Sequence, residues 1–212
     1  MPEQKQAAGA ELGKSDTIGS MFTALLDSCV LWPSTQRDFL LSLAFEGAYR
    51  FVFSEAIIEE VEVNEERKRL KRGDSEKDAA KKALHLSTQL RLHFPDSIVR
   101  NWEGLDGSYG LPDPDDEHVL AAAVVGGAGS IVTANFRDFP AAKIPSGIQI
   151  VSAKDFAYET VSMRPDLGVS AIQAMASRSG NKHAQRSAIE ILDTLDRLYG
   201  LEAATSLIRE LL

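Results

Sequence analysis

Asp113-Pro114-Asp115-Asp116-Glu117-His118-Val119-Leu120-Ala121-Ala122-Ala123-Val124-Val125, running on through Gly126-Gly127-Ala128-Gly129 into Ser130-Ile131-Val132-Thr133, is the stretch on which the fold turns. An aspartate followed by a proline reads as a helix start, with Asp113 as N-cap, Pro114 as first helical residue and Asp116 in the first turn. The apolar run that follows is the helix body. The glycines end it as a C-cap and turn. They are not a phosphate-binding loop, which follows a strand and opens a helix rather than the reverse. Ser130–Thr133, rich in β-branched residues, reads as a strand that ends near Asn135.

Outward from this helix–strand unit the alternation repeats. Phe22-Thr23-Ala24-Leu25-Leu26 is a short apolar run ending at Asp27, the pattern of a buried strand. Residues 34–47 carry a helical pattern with a Ser34 cap and a terminal Gly47. Arg50–Phe53 is a second strand, after which Ser54 caps a helix running toward Arg72. A further helix covers 75–93, a weaker strand 97–99, and a Gly-rich loop 104–112. Beyond the central unit come a strand at 148–151 and a helix at 153–162. Strands alternating with helices imply an α/β fold with a mainly parallel sheet. Residues 1–20 are polar without periodicity and read as a disordered tail or extension. The α/β domain is expected over 21–162, and 163–212 as a helical C-terminal appendage punctuated by Gly180 and Gly200.

The chain of 212 residues has a formal net charge of −8 and 44% hydrophobic residues, enough for a sizeable core. Its acidic balance argues against a protein that coats nucleic acid non-specifically, though not against a nuclease. With Cys29 as its single cysteine it has no intramolecular disulfide framework. No apolar run approaches the ~20 residues that span a bilayer, and the first twenty residues lack an apolar signal core. A cytoplasmic protein without membrane association is the expectation.

Ligands of parallel sheets sit beyond the carboxyl ends of the strands. Asp27 and Asn135 fall at such ends, so the fold brings them and the Asp113/Asp116 helix start toward one cleft. The acids have two readings. As caps they are worth ~1 kcal/mol, with ~0.3–1 kcal/mol more from the helix dipole; as a cluster they hold a divalent cation. Glu59 and Glu60 are either a solvated face or a further carboxylate for the cleft. The haloacid-dehalogenase phosphatase pattern fails, because Cys29 stands where its second aspartate belongs. A calcium loop counted from Asp113 fails at His118 and Val124. Cys29 reads as a core cysteine and His118 as an exposed helix residue. The segment Arg67-Lys68-Arg69-Leu70-Lys71-Arg72 is either a helical face paired with local acids or a clamp for a phosphate backbone.

Four segments in this order resemble one family: the strand ending in Asp27-Ser28-Cys29-Val30-Leu31, Ser54 through Glu60-Val61, Asp113-Pro114-Asp115-Asp116-Glu117-His118, and Ile131-Val132-Thr133-Ala134-Asn135-Phe136-Arg137-Asp138. Together they resemble a PIN-domain nuclease of the kind found as VapC-type toxins in bacterial type II toxin–antitoxin pairs. The resemblance implies a three-layer α/β/α domain whose catalytic acids are Asp27, Glu60 (with Glu59 as fallback), Asp113 and Asp116. Asp27, Asp113 and Asp116 are then metal ligands for Mg²⁺ or Mn²⁺. Many members carry an aspartate where this chain has Asn135, with Asp138 three residues on; Thr133 and Ser28 are placed to orient water or ligands. The implied activity is cleavage of RNA by a metal-activated water, with Arg67, Lys68, Arg69, Lys71 and Arg72 as RNA contacts.

The implied partners are a cognate antitoxin and a second copy of the chain in a homodimer. Ile189, Leu192, Leu195 and Leu198 recur at helical spacing and mark either such a contact or a self-packed helix. Two other functions stay open at this stage: a non-catalytic PIN-like domain that binds RNA or protein, and a phosphohydrolase of small nucleotides.

Overall fold

The computed structural model describes residues 22–181 and 184–212. The tail expected over 1–20 lies outside the described residues. Five strands, β1 (Thr23–Leu26), β2 (Arg50–Ser54), β3 (Ile98–Val99), β4 (Ser130–Val132) and β5 (Gln149–Val151), form one sheet in the order β3-β2-β1-β4-β5. Every pairing is parallel. The strands are short, and the central ones are buried apolar runs: Ala24, Leu25, Leu26, Phe53, Ile131 and Val132 have no exposure. That is the composition a sheet covered on both faces requires.

Helices α1 (Ser28–Leu31) and α2 (Ser34–Phe45) link β1 to β2, and α3 (Glu55–Lys71) and α4 (Glu76–His93) link β2 to β3. Both crossovers step the same way along the sheet. The crossover from β3 through α5 (Glu117–Val125) to β4 steps back past β1. Because parallel crossovers are right-handed, the two directions put α5 on the opposite face from α2–α4. The chain therefore reverses between β1 and β4, and a crevice opens at their carboxyl ends. Register sharpens this. Leu26 pairs with Val132, the Asp27 N–H donates to the Val132 carbonyl at 3.1 Å, and Thr133 continues the ladder to Val151 at 3.0 Å. Asp27 and Thr133 thus stand side by side just past the strand ends.

Helices α6 (Ala153–Met163), α7 (Pro165–Arg178), α8 (Ala188–Tyr199) and α9 (Glu202–Arg209) complete the chain. Helix α7 packs on α2, and α6 packs on α9. Ile172, Leu192 and Ile208 join the same apolar cluster as Leu40 and Leu25. Leu192 and Leu195 are fully buried in this packing, whereas Ile189 and Leu198 are about half exposed. The apolar stripe of α8 is thus largely turned inward. Among the described residues no helix is long and apolar enough to cross a membrane.

Three local expectations shift. Helix α2 begins with Pro33 at the N-cap, and Ser34 is its first helical residue with no capping bond. The proline side chain has no acceptor atom, so the first N–H groups of α2 go without a side-chain cap. The third strand is cut to Ile98–Val99 by a 3₁₀ turn at Pro95–Ser97. The acidic helix start is a 3₁₀ turn, Pro114–Asp116, capped by the Asp113 carboxylate through the Asp115 N–H at 3.0 Å; α5 proper follows from Glu117.

The end of α5 is pressed onto the sheet at Gly126. A Cβ there would lie 2.8 Å from Val99 Cγ2, 2.9 Å from the Ala122 carbonyl and 3.2 Å from Val52 Cγ2. Overpacking of this kind typically costs about 1–3 kcal/mol. Gly126→Ala is therefore expected to lower the unfolding free energy by about 1–3 kcal/mol, seen in urea as a lower midpoint at unchanged m-value. A midpoint equal to wild type would show that α5 has room to lift.

Candidate metal centre

Five acids come together at the crevice between β1 and β4, brought by four different pieces of chain. Asp27 follows β1 directly and is 4% exposed. Its Oδ2 accepts the Thr133 hydroxyl at 2.6 Å and the Cys29 thiol at 3.1 Å. The Thr133 hydroxyl also accepts the Asn135 N–H at 3.0 Å, so one buried threonine fixes Asp27 and the start of the next loop. Asp113 and Asp116 arrive on the 3₁₀ turn, and Asp138 on a second 3₁₀ turn, Phe136–Asp138, after β4. Carboxylate oxygens of Asp113, Asp116 and Asp138 lie within 4.8 Å of one another. Asn135 Nδ2 donates to Asp116 Oδ2 at 2.9 Å and orients it.

Glu60 enters from α3. Ser54 ends β2 and caps α3 by accepting the Ile57 N–H at 3.2 Å, which starts the helix at the sheet edge and sets Glu60 less than two turns in. Glu60 is half-buried, whereas its neighbour Glu59 is exposed. Glu60 Oε1 lies 2.9 Å from His118 Nε2. His118 is thus no exposed helix residue: its side chain is 12% exposed and packs 5.8 Å from the Trp102 ring. Its sequence spacing could not show this, since the partner lies 58 residues away. Burial pushes the Glu60 carboxyl up, but hydrogen bonds from His118 and Ser28 outweigh burial and leave it below the ordinary value. Burial likewise pushes His118 down, and the Glu60 hydrogen bond and charge win, raising it.

Cys29 is half-buried against the acids rather than merged with the core. Its sulfur accepts the Ala134 N–H at 3.1 Å, and burial with the Asp27 charge pushes the thiol up to about 12. It is a neutral hydrogen-bond donor to Asp27, not a nucleophile. Glu117, which the sequence alone did not single out, is 3% exposed and accepts the backbone N–H groups of Tyr109 at 2.9 Å and Leu111 at 2.5 Å. This side chain pins the Gly-rich loop just before Asp113. A glutamate opening an apolar helix after a glycine-rich loop is a weak signal, because most such residues are solvated.

Of the basic segment, Lys68 and Arg69 are paired with Glu65, the latter at 2.7 Å. Among the described residues Arg67, Lys71 and Arg72 form no salt bridge.

The crowding of acids has a measurable consequence. Burial, then the charges of Asp27, Asp138, Asp113 and Glu60, push Asp116 up to about 7. The dipole of α5, worth ~0.3–1 kcal/mol, is too weak to reverse this. A set of hard oxygen donors that resists ionisation when alone fits a divalent cation such as Mg²⁺ or Mn²⁺.

The carboxylate cluster at the switch point of a parallel sheet is a set of oxygen donors suited to a divalent cation. A family model described as PIN domain matches residues 23–137, more than half of the chain, and the protein belongs to the PIN-domain family. PIN domains are generally metal-dependent nucleases. Comparison with curated proteins and with solved structures finds no match for the chain.

Asp116 binds its proton more tightly folded than unfolded. Without metal, stability should therefore fall as pH rises from about 4 to about 7 and then level off. Asp116→Asn, which mimics the protonated acid, is expected to flatten that fall and to melt higher than wild type at pH 8 in EDTA. The same variant should lose most of the thermal stabilisation that millimolar Mn²⁺ gives wild type. Parallel melting curves for the two proteins across this pH range would refute the assignment.

Proposed function

We propose that the chain is a metal-dependent endoribonuclease that acts as a VapC-type toxin, restrained by a cognate antitoxin and working in the cytoplasm as a homodimer. The observation that carries the nuclease part is the meeting of Asp27, Asp113, Asp116 and Asp138 at the crevice between β1 and β4, with Glu60 beside them. Asp113, Asp116 and Asp138 would hold the cation, with the charge of Asp27 close enough to act on Asp116. A bound Mg²⁺ or Mn²⁺ supplies charge neutralisation and an activated water for attack on the phosphodiester.

The protein's own side chains arrange the rest. Thr133 and Cys29 keep Asp27 in one rotamer. Asn135 holds one oxygen of Asp116 and leaves the other to face the cluster. Glu60, kept ionised by His118 and Ser28, adds a negative charge beside the cluster. The toxin role, the antitoxin and the dimer rest on the sequence resemblance to VapC-type proteins.

Labelled RNA incubated with Mg²⁺ or Mn²⁺ should be cut, with cleavage abolished by EDTA. Asp27→Asn and Asp116→Asn should each lower the rate about 100-fold or more, the scale at which losing a metal-site group is felt. Cleavage by both variants at the wild-type rate would assign the activity to a contaminant. The toxin role predicts that expression arrests growth and that a protein encoded beside it restores growth.

One feature favours a second reading. Asn135 offers Asp116 an amide N–H where a carboxylate would add a metal ligand. A non-catalytic PIN-like domain that binds RNA or protein is then the alternative. Titration calorimetry separates the two: RNA binding with no Mn²⁺ uptake at millimolar metal supports the binding domain.

A further inference from the structure

A groove runs away from the carboxylates along α3, and the metal chemistry makes no use of it. Near the acids its walls include Glu60, Asn64, Arg67, Trp102 and His118. Farther out they are Trp32, Asn64, Arg67, Lys68, Lys71 and Arg72. Asn64 and Arg67 line both cavities, so the two adjoin along α3. Glu60, Asn64, Arg67 and Lys71 succeed one another at steps of four, three and four, which is a single stripe of the helix. At 1.5 Å per residue, Lys71 lies ~16 Å beyond Glu60.

The cations of this stripe divide sharply. Lys68 and Arg69 are held by Glu65. Lys68 also donates to the Trp32 carbonyl at 3.3 Å and sits 5.7 Å from the centre of the Trp32 ring, which it steadies. Arg67, Lys71 and Arg72 are exposed, line the groove and, among the described residues, have no acid partner. Each cavity has an aromatic ring in its wall: Trp102 against His118 beside the carboxylates, and Trp32 beside Lys68 in the outer one. The acids Glu59, Asp106 and Asp115 line the near end, so the uncompensated positive charge of the groove begins at Arg67.

We propose that this groove is a track for single-stranded RNA, with Trp102 stacking a base beside the metal centre, Arg67, Lys71 and Arg72 holding backbone phosphates, and Trp32 stacking a base beside Lys68 in the outer part of the groove. The proposal rests on the nuclease reading of the same site. Unpaired bases are what stacking on side chains requires, and a cationic stripe that follows a backbone between aromatic rings is the chemistry of single-strand binding. No single step of the track reads base identity, so the RNA is selected here by strandedness and length.

The test is binding of a fluorescein-labelled single-stranded RNA of roughly eight nucleotides, followed by anisotropy in EDTA at several salt concentrations. Arg67→Ala/Lys71→Ala/Arg72→Ala should weaken binding about tenfold or more at ~0.1 M salt. It should also reduce the slope of log affinity against log salt by about 2, since each single-strand phosphate contact contributes about 0.7. Lys77→Ala/Lys81→Ala/Lys154→Ala, which removes the same charge outside the groove, should leave that slope within error of wild type. Trp102→Leu should weaken binding at least about fivefold, and Trp102→Phe, which keeps a stacking face, should restore most of it.

Equal losses in the two triple variants would overturn the track, as would equally tight binding of a duplex of the same length. Binding is read without metal or turnover, so a protein that never cuts RNA still gives these results if the track exists. Cleavage of RNA by a protein whose affinity ignores Arg67, Lys71 and Arg72 would sink the track and leave the nuclease reading standing.

Discussion

A carboxylate buried at the carboxyl end of β1 is the constraint around which the rest of the site is built. Asp27 is almost fully buried, and burial of a charge is tolerated only where hydrogen bonds or a counter-charge compensate it. Two neutral donors, Thr133 and Cys29, do this from the protein side. Neither brings positive charge. The negative charge of Asp27 therefore remains to act on its surroundings: it adds to the burial of Asp116, and with the other acids pushes that carboxyl up to about 7. Capping and metal binding, which look like rival explanations of the Asp-Pro-Asp-Asp stretch, are compatible. Asp113 does cap its turn, and by capping it the chain brings Asp116 within reach of Asp27 and Asp138.

The topology explains why the crowding falls here. Reversal of the winding direction between β1 and β4 leaves the ends of these two strands uncovered by a crossover helix. The loops after β4 and before α5 converge on that opening, and each is anchored by a residue that is not itself in the cluster. Thr133 ties the β4 loop through the Asn135 N–H, and Glu117 ties the α5 loop through two backbone N–H groups. Hydrogen bonds to an ionised carboxylate are worth about 1.5–3 kcal/mol each, against about half to 1.5 for neutral pairs. Glu117 makes two bonds of the carboxylate kind to the loop, where the Asp113 cap makes one.

What could be read from the sequence follows from the range of the interactions involved. Alternation of short apolar runs with helical patterns is local, so all five strands and the helices around them were expected near their observed places. The strand-end acid Asp27 and the Asp113/Asp116 pair were legible because turn chemistry marks them. Glu60 was singled out over Glu59 only by counting within a family pattern; the structure turns Glu60 toward His118 and leaves Glu59 in solvent. Contacts between distant segments were beyond such reading. The His118–Glu60 bond, the seat of Cys29 against Asp27 and Thr133, and the closing of Asp138 on Asp113 all span segments that only the folded sheet brings together.

The charge of the molecule is organised by the same fold. A chain with a net charge of −8 should repel a polyanion at a distance, and a cluster of carboxylates should do so most strongly at the point of reaction. Attraction has to come from a local field that survives this background. Helix α3 supplies it, because its first turns carry Glu60 into the crevice while its last turns carry Arg67, Lys71 and Arg72 along the same side. Glu65 pairs with two cations of the helix, Lys68 and Arg69, and so leaves Arg67, Lys71 and Arg72 as its unpaired positive charges among the described residues. Screening at physiological salt limits such a field to about 8 Å, so each charge acts on the phosphate next to it rather than on the chain as a whole. One rigid helix thereby relates the acid that faces the reacting centre to the cations beside it, and their spacing is set by the helix rise rather than by loops.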